Sequence, residues 1–153
     1  MSNRWIATAA VLLVGTVSAR GARGDDCDPP KVDPAAEKKF ASLVQAIRKA
    51  DADGVVALMA SGKDARLTLK LTDVKPGAYP KDQAVEVLKT AYFKTREILS
   101  VTEDEGCTRG SETRLVRTYR TRVRSGGNET EGTLTAVLQK GDPGWSLDIL
   151  SDH

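Results

Sequence analysis

Residues 74–94, VKPGAYPKDQAVEVLKTAYFK, hold a Pro-Gly break, an aromatic residue, a second proline and an apolar-periodic run within 21 positions. Just before it, Leu67, Leu69 and Leu71 alternate with Arg66, Thr68, Lys70 and Thr72, the period-two pattern of a half-buried strand. Lys75-Pro76-Gly77 ends that strand, because proline cannot donate to a ladder and glycine turns the chain. Pro80 then presets the backbone for helix entry, and Asp82 puts a negative charge in the first turn, where the helix dipole favours it. Ala84, Val85, Leu88, Ala91 and Tyr92 supply a helical stripe. The segment therefore reads as a connector followed by a helix that must cover the sheet.

Working outward, Asp33-Pro34 has the form of an N-cap followed by proline at the first helical position. Ala36, Phe40, Leu43, Val44 and Ile47 follow on one face, so an amphipathic helix is expected from residue 34. In DADGVVALM, residues 51–59, Asp51 or Asp53 caps a second, short helix carrying Val55, Val56, Leu58 and Met59. Downstream, strands are expected over 97–103, 113–124 and 130–139. Ser125-Gly126-Gly127-Asn128 forms a hairpin turn between the last two. A final strand follows Gly141-Asp142-Pro143-Gly144, with Trp145, Leu147 and Ile149 as its apolar face. The order is helix, helix, strand, helix and four strands.

That order, with GAYPKDQAVEVLKTAYF set between the first strand and its helix, resembles the nuclear transport factor 2-like (cystatin-like) superfamily, and within it secreted bacterial domains of unknown function. Gly77, Tyr79, Lys81, Gln83 and Ala84 carry the resemblance at the junction, together with the short 51–59 helix and a closing strand beginning at Trp145. It covers about residues 34–152. The resemblance implies an α+β cone, a curved antiparallel sheet packed on about three N-terminal helices. It does not imply one activity, since the superfamily includes isomerases, dehydratases, ligand binders and interaction modules. The arginine content of the 114–124 strand departs from the family pattern.

The ends set the compartment. Arg4, the apolar run Ile6–Val17 and the small residues of Val17-Ser18-Ala19 have the layout of a cleavable secretory signal over residues 1–19. The run is well short of the ~20 residues a spanning helix needs, so no stable membrane anchor is expected. Cys27 follows Gly24-Asp25-Asp26 and not a lipobox. Export to the periplasm or the medium is therefore expected, with a flexible arm at 20–33 and one domain at 34–152. The chain's 23 basic and 21 acidic residues lack the concentrated basic excess of a nucleic-acid binder. In an exported chain, Cys27 and Cys107 are candidates for one disulfide; two cysteines without a histidine partner are poor metal ligands, and no metal or other cofactor is expected.

Candidate chemistry is sparse. The single histidine, His153, is the final residue of the sequence and is expected to be mobile, which leaves no His-Asp dyad. Asp148 opposes the apolar parity of the last strand, and Glu103 sits at a strand end, so no catalytic residue is assigned. On the long strand, Leu115, Arg117, Tyr119, Thr121 and Val123 share the inward face. An inward guanidinium needs a partner: an internal carboxylate, a helix C-terminus, or an anionic ligand held by Arg117, Tyr119 and Thr121 with Tyr92. Arg114, Arg120, Arg122 and Arg124 occupy the opposite parity. Cross-strand ion pairs would explain them, as would a homodimer contact of the kind the resemblance implies, or a surface for acidic polymer or lipid headgroups. Asn128-Glu129-Thr130 matches a glycosylation sequon and is taken as chance. The functional expectation is an exported non-catalytic module for a small ligand or a protein partner. The alternative is an isomerase or hydro-lyase using a pocket carboxylate and a tyrosine.

Overall fold

The computed structural model describes residues 32–103 and 108–153; the leader, most of the arm, and both Cys27 and Cys107 lie outside them. Helix α1, Pro34–Arg48, begins as its sequence dictates: the Asp33 carboxylate accepts from the Ala35 amide at 2.8 Å, and proline fills the first turn. Its stripe of Ala36, Phe40, Leu43 and Ile47 is fully buried. Each large side chain of this stripe contributes roughly 1.5–3 kcal/mol by leaving water. Asp51 caps α2, Ala52–Val56, by accepting from Gly54 N at 2.9 Å.

Seven strands form one curved sheet: β1 (Arg66–Lys70), β2 (Gly77–Pro80), β3 (Glu97–Glu103), β4 (Arg109–Gly110), β5 (Arg114–Ser125), β6 (Asn128–Gly141) and β7 (Gly144–Asp152). The spatial order is β2-β1-β7-β6-β5-β3, with β4 pairing β5 beyond the end of β3. All pairs are antiparallel except β1 with β7, so the sheet is mixed. Helices α1, α2 and α3 (Lys81–Val87) fill its concave side, giving the α+β cone. Phe40, Leu43, Ile47, Leu67, Leu69, Leu88, Leu134, Leu138, Leu147 and Leu150 plug the interior, each with under 2 % of its surface exposed. Among the described residues no helix is long and apolar enough to cross a membrane.

Four departures from the sequence reading matter. The connector at 77–80 is itself a strand, Leu67 pairing with Tyr79 and Leu69 with Gly77. Pro80 is tolerated there because β2 is an edge strand, paired on one side only. Between β4 and β5 the chain turns at Gly110, an addition to the expected strands. The third helix does not stay α-helical: over Leu88–Tyr92 it widens into a π-helical turn, Phe93 N donating to Leu88 O at 2.8 Å. Finally, β7 is bulged. Its register with β6 jumps from Val137↔Ile149 to Leu138↔Leu147, leaving Asp148 without an opposite residue.

That extra residue corrects the expected apolar face. Trp145 and Leu147 point inward, but Ile149 is half-exposed on the outer face, and Leu150 is buried in its place. Asp152, paired with Leu134, follows Leu150 inward. The hairpin turn has Gly126 at φ 56° and Gly127 at φ 84°, both left-handed, the two-residue geometry whose twist matches the flanking strands. Because the bulge reverses the roles of neighbouring residues, Leu150→Ala should cost about 2–5 kcal/mol in urea unfolding and Ile149→Ala only about 1 kcal/mol. The strict alternation 145, 147, 149 demands the reverse ranking.

Candidate functional site

One cavity, about 290 Å³ in volume, lies where α3 ends and the β1–β2 turn meets the ends of β5, β6 and β7. At its centre is Arg96, just ahead of β3, with a side chain only 8 % exposed. One amino group of Arg96 donates to Asp73 Oδ2 at 2.8 Å and to the Thr72 carbonyl at 3.3 Å. The other reaches Asp152 Oδ2 at 3.3 Å. The guanidinium carbon stands 4.4 Å from the centre of the Tyr92 ring, a cation–π contact. Asp152 is held from its other oxygen by Thr72, through the backbone amide at 2.6 Å and the hydroxyl at 3.0 Å. The Arg96 Nε is buried and finds no acceptor among the described residues.

Burial pushes the Tyr92 hydroxyl up to about 12, with the nearby Asp152 carboxylate adding to the shift. Thr121, on β5, lines the same cavity. His153 does too, and its backbone is not free: it exchanges two hydrogen bonds of 2.9 Å with Thr133, which corrects the expected mobility. A side chain at Gly132 would bring a Cβ to 3.0 Å from the His153 carbonyl, so glycine permits this close pairing.

Arg117 and Tyr119 lie elsewhere, in a groove of about 260 Å³ between α1, β3 and β5. Here the guanidinium of Arg117 meets the Glu37 carboxylate of α1 in a two-pronged ion pair, one prong at 2.9 Å. Its Nε donates to Thr108 Oγ1 at 2.7 Å, and Glu103 Oε1 lies 3.2 Å away. Its flat face covers the Phe40 ring at 4.2 Å. Arg117 thus has its partner within the fold, an internal carboxylate 80 positions away in the chain. The Arg117 hydrogen bond holds the Glu37 carboxyl below its ordinary value, against the opposing effect of burial. Burial pulls the Arg117 guanidinium down, but the bond to Glu37 together with the charges of Tyr119, Glu103 and Glu37 outweighs it and the net shift is upward. Tyr119 is 2 % exposed, its hydroxyl unpartnered among the described residues, and burial drives its ionisation far above the usual tyrosine range.

The four residues expected to hold a ligand are therefore divided, Tyr92 and Thr121 at one cavity and Arg117 and Tyr119 at another. Sequence reasoning missed Asp73, Arg96 and Asp152. Leu147 and Leu150, spaced by three, were the available sign that the alternation slips and brings Asp152 inward. On the outer face, Arg122 pairs with Glu131 at 3.2 Å, and Arg124 with Glu97 at 3.0 Å and Glu129 at 2.6 Å. Arg114 and Arg120 are exposed on the same face. Asp148 sits in the bulge, half-exposed. No group of His, Cys, Asp and Glu suited to a metal ion occurs among the described residues.

No family model and no curated protein matches the chain. Solved structures do. The chain is similar to a candidate ketosteroid isomerase from Shewanella frigidimarina, with TM-score 0.59 and 16% identity over 80% of this chain and 98% of that one. It is similar to a candidate dehydratase of the NTF2-like family from Streptomyces avermitilis, with TM-score 0.60 and 11% identity over 77% and 91%. A DUF4783 family protein from Bacteroides ovatus matches with TM-score 0.54 and 9% identity over 73% and 91%. These likenesses establish the nuclear transport factor 2-like fold and leave the activity open.

Two titrations follow. Because the Glu37 carboxyl is depressed, its pair with Arg117 contributes fully above about pH 5 and is lost as pH falls through the depressed value. Glu37→Gln should flatten the acid limb of melting temperature against pH, and Arg117→Ala should cost about 2 kcal/mol, less than the 3–5 kcal/mol of a fully enclosed pair. At the other extreme, Tyr92 and Tyr119 ionise later folded than unfolded. The stability they confer is complete below about pH 10 and declines as pH rises toward 12, which tyrosinate absorbance recorded alongside unfolding will follow.

Proposed function

We propose that this protein is an exported, non-catalytic module that binds a small polar molecule in the cavity at Arg96. The observation that carries the reading is that three backbone irregularities each set a residue that lines that cavity. The π-helical turn ends at Tyr92, and the bulge in β7 precedes Asp152. Asp73 holds a left-handed φ of 65°, uncommon for a residue other than glycine. Regular elements need none of these, and such departures cluster where side chains are aimed at a ligand. Export rests on the leader-like sequence at residues 1–19.

The neighbours named for isomerase and dehydratase chemistry suggest a second reading, with Asp152 as base and Tyr92 as donor. The local chemistry favours it less. Both Asp152 oxygens are already engaged, by Thr72 and by Arg96. A tyrosine ionising only near 12 is far from the pKa that suits proton transfer at neutral pH. A protein-binding role for the arginine face is also weakened, since Arg122 and Arg124 are satisfied by neighbouring glutamates.

Native mass spectrometry of the chain, secreted and gently purified, tests the proposal. A discrete mass excess should accompany the wild-type protein, vanish on denaturation and be lost in Arg96→Met. Bare protein in every preparation would count against a retained ligand.

A further inference from the structure

We infer that the outer face of the sheet binds a linear acidic polysaccharide, laid over β6 and β7 between cations on β5 and β1. This surface is separate from the cavity at Arg96 and does not depend on it. The starting observation is that the arginines of β5 meet acids at one end of the face and not at the other. Near the hairpin, the register sets Arg124 opposite Glu129 and Arg122 opposite Glu131, and both pairs close. Farther along, the glutamates stop: Arg120 stands opposite Thr133, Thr118 opposite Thr135 and Arg114 opposite Gln139. Arg114 is exposed and makes no ion pair among the described residues. On the far side of the sheet, β1 turns two more exposed cations outward, Arg66 and Lys70, in step with Thr68. These also make no ion pair among the described residues.

Between the two rows of cations lies a neutral floor. Thr133, Thr135, Gln139 and Ser146 point outward from β6 and β7, with Ile149 beside them. Three strand spacings separate β1 from β5, so the floor is roughly 14 Å across. Its one carboxylate among the described residues is Asp148, half-exposed in the bulge. A chain of uronate units repeats a carboxylate along its length with hydroxyls between. Cations at the rim suit the first, and hydroxyls and an amide on the floor suit the second. Other occupants fit less well. A second copy would set one cationic patch against another, since a two-fold contact joins the same surface on both chains. The helices fill the concave side, so this face is convex and a flat bilayer meets only its crest. Its apolar residues, Val116, Val137 and Ile149, are at most half-exposed, which leaves little to enter a membrane. For nucleic acid, the face offers no aromatic ring on which bases could stack among the described residues.

The test is fluorescence anisotropy of labelled polygalacturonate with the full secreted chain, against neutral dextran, phosphatidylglycerol vesicles and single-stranded DNA. Polygalacturonate should bind at about 50 mM salt and lose affinity steeply by about 200 mM, as counterion release requires, while dextran stays unbound. Arg66→Gln/Lys70→Gln/Arg114→Gln, all at exposed positions, should weaken binding at least about tenfold. Lys38→Gln/Lys49→Gln/Lys81→Gln removes as much charge from the helical side and should weaken it by less than about twofold. Asp148→Asn, which clears the acid from the floor, should tighten binding severalfold. Equal weakening in the two triple variants would reduce the effect to overall charge and overturn the inference. So would a failure of polygalacturonate to bind, or no response to Asp148→Asn. Tighter binding of vesicles or DNA, lost in the sheet triple, would overturn the polysaccharide while keeping the face as a binding surface.

Discussion

A single helix cannot bury its apolar stripe against a flat sheet without leaving flanks wet, so the seating of α1 governs the rest of this fold. The stripe of Phe40, Leu43 and Ile47 supplies the driving force, but it is non-directional. Direction comes from polar fastenings along the helix. At the N-terminal end, Asp33 caps the helix and accepts from the Trp145 indole at 3.1 Å. One turn in, Glu37 takes the Arg117 guanidinium from β5. At the last residue, Arg48 donates to the Val101 carbonyl of β3 at 2.6 Å. Three strands are thus tied to one helix, and the sheet curves to keep all three ties.

This arrangement separates two sets of charges that look alike in sequence. Arg117 and Arg96 are both nearly buried and both lie over an aromatic ring. Arg117 is satisfied by groups from a helix, a strand and a loop, Glu37, Glu103 and Thr108, and it reads as part of the frame. Arg96 lines the cavity, with two carboxylates beside it and its Nε buried without an acceptor among the described residues. Burial is common to both; what differs is the setting, a helix–sheet seam for Arg117 and the cavity beside the β1–β2 turn for Arg96.

How much of this was legible beforehand follows from what periodicity measures. Spacings within one element report a face, so the α1 stripe, the Asp33 and Asp51 caps, the strand of Leu67 and Leu69 and the Gly126-Gly127 hairpin were all readable. The inward placement of Arg117, Tyr119 and Thr121 was readable for the same reason. What periodicity omits is the insertion that shifts a face and the neighbour that another element supplies. Asp152 was hidden by the extra residue at 148, and the partners of Arg96 come from a turn and a terminal strand 23 and 56 positions away. Short-range reading also mistook 77–80 for a plain connector, because its prolines argue against a central strand but not against an edge one.

The bulge has one more consequence, for how such a cone can change over time. An inserted residue in a strand adds bend and twist, yet the pairing on either side of it is kept. Removing Asp148 would straighten β7 while leaving Leu150 and Asp152 facing inward, since both lie on the far side of the insertion and keep their partners Ala136 and Leu134. Curvature is thus written in the number of residues, and the lining in their identity. The two can drift independently: a lineage can reshape the mouth of this cone by single-residue insertions or deletions and still inherit the same wall.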